Sequence, residues 1–128
     1  PVGETNPIVS EGGMPFAPYR DQLPGSCMDY FAVDGWVHYA TSAGDWLWVS
    51  HDAPLVTFGQ PEVWARRKTA PATANLLALV FTNFWYTNFV GNQHGVMEFT
   101  FDLLWQPKIS GPGALARTIA SRPIVIQR

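Results

Sequence analysis

The chain is 128 residues long and carries 8 basic and 10 acidic side chains, a net charge of −2, 11 Gly, 11 Pro and one Cys. That length holds one domain at most, and without a Lys/Arg surplus there is no source of sequence-independent affinity for nucleic acid. A lone cysteine excludes an intrachain disulfide, and no stretch approaches the ~18 to 20 apolar residues that span a bilayer.

Hydrophobic residues make up 47% of the chain, enough for a core, so a folded, soluble domain is expected rather than disorder. Charged residues reach only 14% against a usual ~25%, while aromatics also reach 14% and include six Trp. A free-standing small domain needs more surface charge than this. Some apolar surface is therefore expected to meet a partner, either the rest of the same polypeptide or, by self-association, another copy. The start at Pro1 rather than Met fits a chain processed or cut from a longer one.

Residues 1–30 are rich in Pro and Gly with no sustained period, and read as a loop or linker ahead of a single domain over 31–128. Residues 31–40 and 45–50 are rich in β-formers and are separated by Thr41-Ser42-Ala43-Gly44, which predicts a hairpin. Pro54 ends the second strand, and Leu55-Val56-Thr57-Phe58 predicts a further short one. Glu62 to Thr73, with Arg66-Arg67-Lys68, reads as an exposed connection whose three charges are too few for a nucleic-acid surface.

Asn75 to Phe84 is a nearly continuous apolar run of strand length, as expected of a strand covered on both faces. Trp85 to Gly95 follows as a long aromatic and amide-rich loop, a kind of connection that often carries function. In Val96 to Leu104, Met97, Phe99, Phe101 and Leu103 alternate with Glu98, Thr100 and Asp102, which predicts a strand with one greasy face. Ala114 to Ser121 has room for two helical turns before Pro123, and Ile124-Val125-Ile126 reads as a terminal strand. The expected fold is all-β: an antiparallel β-sandwich, or part of a larger super-sandwich, with long Pro/Gly-rich loops and at most one short helix.

The chain offers no self-sufficient active site. A glycosidase needs two carboxyl groups facing each other across a cleft. Glu98 and Asp102 share one strand face roughly 13 Å apart, too far for that work, and Asp29, Asp34, Asp45, Asp52 and Glu62 sit at expected turns. His38, His51 and His94 lie far apart, with no metal-ligand spacing. Cys27 lacks any nucleophile motif and reads as a small buried filler. Sugar contact asks for less: flat aromatic faces for the C–H side of a pyranose and amides for its hydroxyls. The loop Thr82 to Phe89 supplies both, although core or interdomain packing accounts for the same residues.

Asn83-Phe84-Trp85-Tyr86-Thr87-Asn88-Phe89, then Gln93-His94-Gly95 and Met97-Glu98-Phe99-Thr100-Phe101, resemble a stretch in the C-terminal β-rich region of family 38 glycoside hydrolases, the class II α-mannosidases. Gln22-Leu23-Pro24-Gly25, Asp29 to Val33, Trp36-Val37 and Trp48-Val49-Ser50-His51-Asp52-Ala53-Pro54-Leu55-Val56 are similar to preceding segments of bacterial members. The resemblance covers about residues 20–105. It implies a parent retaining hydrolase whose nucleophile, acid/base and divalent metal, normally zinc, lie in a separate α/β domain, in the bacterial cytoplasm or periplasm. This chain is then an accessory β-domain that has no catalytic residues and no cofactor of its own, packs on that catalytic domain and lends Asn83, Trp85 and Asn88 to the rim of a mannoside cleft. The alternatives are an independent carbohydrate-binding β-sandwich that stacks sugar on Trp36, Trp46, Trp48 or Trp85, and a purely structural interaction domain.

Overall fold

The computed structural model of the chain describes residues 6–61, 66–73, 75–81 and 94–121. Its strands are β1 (Ile8–Glu11), β2 (Met14–Phe16), β3 (Phe31–Ala32), β4 (Trp36–Thr41), β5 (Gly44–Ser50), β6 (Leu55–Phe58), β7 (Leu76–Ala78) and β8 (Phe101–Gln106), followed by helix α1 (Pro112–Ala120). They form two antiparallel sheets, one of five strands in the order β2-β1-β4-β5-β8 and one of three in the order β3-β6-β7. The expected all-β, sandwich-like architecture with a single short helix is what the described residues adopt.

The β4–β5 hairpin holds the larger sheet together. Its register runs from Trp36↔Val49 to Thr41↔Gly44, so the anticipated Thr41–Gly44 spacer narrows to a two-residue turn of Ser42 and Ala43. The Thr41 hydroxyl closes that turn by donating to the Gly44 carbonyl at 2.6 Å and accepting from the Ala43 amide at 3.1 Å.

Residues directly opposite in an antiparallel pair point to the same face. Val9↔Val37, Val37↔Trp48 and Trp48↔Leu103 therefore share one face, and Ile8↔His38, His38↔Leu47 and Leu47↔Leu104 share the other. The first face meets the smaller sheet through a core of Val9, Phe31, Val33, Val37, Val56 and Phe58. The second meets α1 through Trp36, Leu47, Val49, Ile109 and Ala116. Pro112 opens the helix, where its missing N–H costs nothing. Gly113 lies against the Trp36 indole so closely that a Cβ there would stand 3.3 Å from the ring.

Four expectations are corrected. Residues 1–30 are not loop throughout: residues 8–16 form a hairpin, and β1 inserts between β2 and β4 with Val9 fully buried. Gly12 and Gly13, at φ 59° and 81°, supply the two positive-φ positions that a tight hairpin turn demands. Residues 31–40 are not one strand. The Asp34-Gly35 corner, with Gly35 at φ 80°, sends β3 to one sheet and β4 to the other. The Asp34 carboxylate braces that corner, accepting from Ser10 Oγ at 3.0 Å and the Gly13 amide at 2.6 Å.

Of the described residues in the apolar run from Asn75, Leu76–Ala78 form a strand, half-buried on the edge of the smaller sheet rather than covered on both faces. Finally, β8 begins at Phe101, five positions later than the period-2 pattern suggested, and its greasy face is largely open. Leu103 is 67% and Trp105 49% exposed, because β8 is the outermost strand of the larger sheet among the described residues. The expected terminal strand at Ile124 to Ile126 lies outside the described residues. Among the described residues no helix is long and apolar enough to cross a membrane.

Candidate functional site

Asn83, Trp85 and Asn88, the residues assigned to a sugar-facing rim, lie outside the described residues. The segments on either side of them in sequence are described. Leu79, Val80 and Phe81 follow β7 at 37%, 40% and 53% exposure, and Val96 and Met97 precede β8 at 92% and 39%. Both segments thus present large apolar side chains to the exterior.

The four indoles weighed as stacking platforms separate cleanly. Trp36 is buried beneath α1, and half-buried Trp48 is stacked on Phe101 with ring centroids 5.4 Å apart, so neither offers a free face of the kind a sugar needs. Trp85 is outside the described residues, and Trp46 is open at 40% exposure. Trp105 joins it from β8, tilted 57° with centroids 6.4 Å apart. Trp105 extends the alternation Phe101, Leu103 by one more step. That signal was present in the sequence, and it becomes meaningful once β5 is known to lie alongside.

Each described aspartate weighed as a catalytic carboxylate is committed to holding backbone or to a histidine ring nitrogen. Asp29 Oδ1 accepts from the Arg67 amide at 2.7 Å, and Asp52 Oδ2 accepts from the Thr100 amide at 2.8 Å. Asp102 pairs with His51 Nε2 at 2.6 Å. The adjacent Ser50 hydroxyl cannot serve as that histidine's nucleophile in this arrangement, since it donates to the Ala53 carbonyl at 2.8 Å and accepts from the Ala53 amide at 3.0 Å. Ser50 through Pro54 is therefore a corner tying β5 to β6, with Asp52 reaching across to Thr100 just ahead of β8 and His51 to Asp102 within it. Glu98 is exposed, and Glu62 lies outside the described residues.

Among the described residues Asp45 is the one deeply buried acid, at 2% exposure. Its Oδ2 accepts from the Ile109 amide at 2.8 Å, with Lys108 Nζ at 3.6 Å and His38 Nε2 at 3.4 Å. The His38 nitrogen is buried and within ion-pair reach, yet forms no hydrogen bond. The work of this cluster is structural: it anchors the segment that delivers α1 onto the sheet.

The Ile109 amide holds the Asp45 carboxyl below its ordinary value of 3.8, against burial, with smaller help from Lys108 and His38. The Gly13 amide and the Ser10 hydroxyl hold Asp34 below 3.8 in the same way. Carboxyls lowered on folding contribute stability that is fully present above the unfolded value and is lost as pH falls through the folded one. Urea midpoints are accordingly expected to stay level from neutral pH down to about 5 and to drop below about 4. Asp45→Asn should flatten that acid limb, and an unchanged limb would remove the buried carboxylate from the account.

Metal chemistry finds no donor set: among the described residues no three His, Cys, Asp or Glu side chains come together. Cys27, expected to be buried, is exposed, with Sγ 3.9 Å from Asp29 Oδ2. The chain matches no family model, no curated protein and no solved structure.

Proposed function

We propose that the chain is an accessory β-domain of an α-mannosidase-like glycoside hydrolase, packed on a catalytic domain that holds the nucleophile, the acid/base and the zinc. The observation that carries this reading is the pair of apolar segments, Leu79 to Phe81 and Val96-Met97, which lie on either side of Asn83, Trp85 and Asn88 in sequence and leave their own side chains uncovered. Exposed clusters of this kind mark an interaction surface. The resemblance of residues 20–105 to the β-rich region of family 38 enzymes supplies the partner.

The test is alanine replacement of Asn83, Trp85 and Asn88 in the enzyme that carries this domain. A fall in kcat/KM for mannosides of about tenfold per residue, equal to ~1.4 kcal/mol of transition-state stabilisation, is expected. An unchanged kcat/KM accompanied by a lower Tm would make the loop packing and end the rim assignment.

The open pair Trp46 and Trp105 favours a second reading, a free-standing carbohydrate-binding module. Saturable quenching of tryptophan fluorescence by mannose oligosaccharides in the 128-residue chain, abolished by Trp46→Ala, would select it.

A further inference from the structure

We propose that β8 pairs with β8 of a second copy of this chain, antiparallel about a two-fold axis through Leu103, joining the two larger sheets into one of ten strands. The proposal goes beyond the accessory-domain reading and rests on a different surface, the free edge of the larger sheet.

Among the described residues β8 borders β5 on one side and no strand on the other. Natural outer strands are guarded by Lys, Pro, bulges or inward charges. Phe101–Gln106 contains neither Lys nor Pro, and its single charge, Asp102, is engaged by His51. A six-residue strand with exposed Phe101, Leu103 and Trp105 is thus a template for strand addition.

The hydrogen-bond phase selects the register. The His51 amide donates to the Thr100 carbonyl at 3.1 Å, so the even-numbered residues of this segment direct their backbone groups toward β5. Phe101, Leu103 and Trp105 therefore aim their N–H and C=O groups outward. In a two-fold pairing that keeps equivalent faces on the same side, Leu103 lies opposite its own copy and Phe101 lies opposite Trp105 in both directions. All three outward residues then find hydrogen-bonding partners, and each aromatic side chain meets another across the seam. A slip by one residue would turn one sheet over and break this match. Asp102 falls opposite Leu104, so no like charges face each other.

The exposed parts of Phe101, Leu103 and Trp105 come to roughly 300 Å² per copy, taking about 150–250 Å² for each aromatic side chain. With the backbone edge, the pair covers roughly 800 Å², the size of a weak, transient interface. A reversible dimer with a dissociation constant of about 10 µM or weaker is expected.

Sedimentation equilibrium of the 128-residue chain from about 1 to 500 µM is expected to show the mass rising from 14.2 kDa toward twice that value. Leu103→Lys places two ammonium groups against each other on the axis. It should hold the mass at the monomer value with an unchanged near-UV circular dichroism spectrum, since the side chain it replaces is largely in solvent. In a Cys27→Ser background, Leu103→Cys should oxidise to a covalent dimer, because hydrogen-bonded antiparallel partners stand ≈ 5.5 Å apart at Cα, within disulfide range. Gln106→Cys in that background should not. A wild-type chain that stays monomeric throughout, a Leu103→Lys variant that still dimerises, or crosslinking that is no faster at position 103 than at 106 would each overturn the proposal.

Discussion

Gly44→Ala is expected to destabilise the fold by about 2–4 kcal/mol. Two separate causes combine at this position. Gly44 sits at φ +127°, a region that side chains with a Cβ seldom enter, and a Cβ there would stand 2.5 Å from Nε1 and 2.8 Å from Cε2 of Trp105. The Trp105 ring is the seat of the aromatic edge, so the substitution should also shift tryptophan emission. Gly95 separates the two causes, because it has the same φ, +128°, with nothing within 4 Å of the position a Cβ would take. Gly95→Ala should lose only the strain, about 1–3 kcal/mol at most, and leave the emission alone. Equal losses at the two glycines in urea titrations would show that Trp105 does not lie over Gly44.

Phe58→Ala should cost about 3–5 kcal/mol, among the largest losses expected from truncating a described residue. Phe58 is fully buried where the two sheets meet. Its ring stands 5.8 Å from that of Phe31 and takes the edge-on arrangement with Tyr19 at 6.3 Å and Tyr39 at 6.4 Å. No small rearrangement refills a space bounded by three other rings, so the cavity penalty adds to the lost burial. Leu103→Ala, an equally apolar residue on the open face, should stay within about 0.5 kcal/mol. A Phe58→Ala loss below about 1.5 kcal/mol in urea denaturation would mean that the sheets are not packed through this aromatic cluster.

The β4–β5 hairpin was readable because both strands are long, aromatic and bounded by a turn with glycine at its end. The β1–β2 hairpin was not, since four- and three-residue strands are too short for a period to emerge from a proline-rich background. Gly12-Gly13 was the available signal there, and it carried the turn. Period-2 alternation identified β8 as a strand, but periodicity states only that two faces differ. Which face is covered depends on how far the smaller sheet extends, and that is a property of the whole fold.

The same limit applies to the candidate site. The role of Asp45 depends on an amide 64 positions away, a distance over which local pattern carries no information. The sequence placed Asp29, Asp34 and Asp52 at turns in the backbone's service, and their hydrogen bonds follow that logic, though with partners that no spacing rule would have named; Asp45, expected at a turn as well, lies instead inside β5, in register with Ala40 and Gln106. Trp46 and Trp105 became a pair only when the β5–β8 register set them side by side.

That register also has a consequence for biosynthesis. His51 and Asp102 meet across 51 intervening steps of the chain, so the β4–β5 ribbon leaves the ribosome well before the strand that flanks it exists. At ~5–20 residues per second the wait is about 3–10 s. Throughout that interval Trp46 and Trp48 stand uncovered beside an unpaired backbone, and a holding chaperone has its clearest opportunity to intervene between the appearance of Ser50 and the arrival of Gln106.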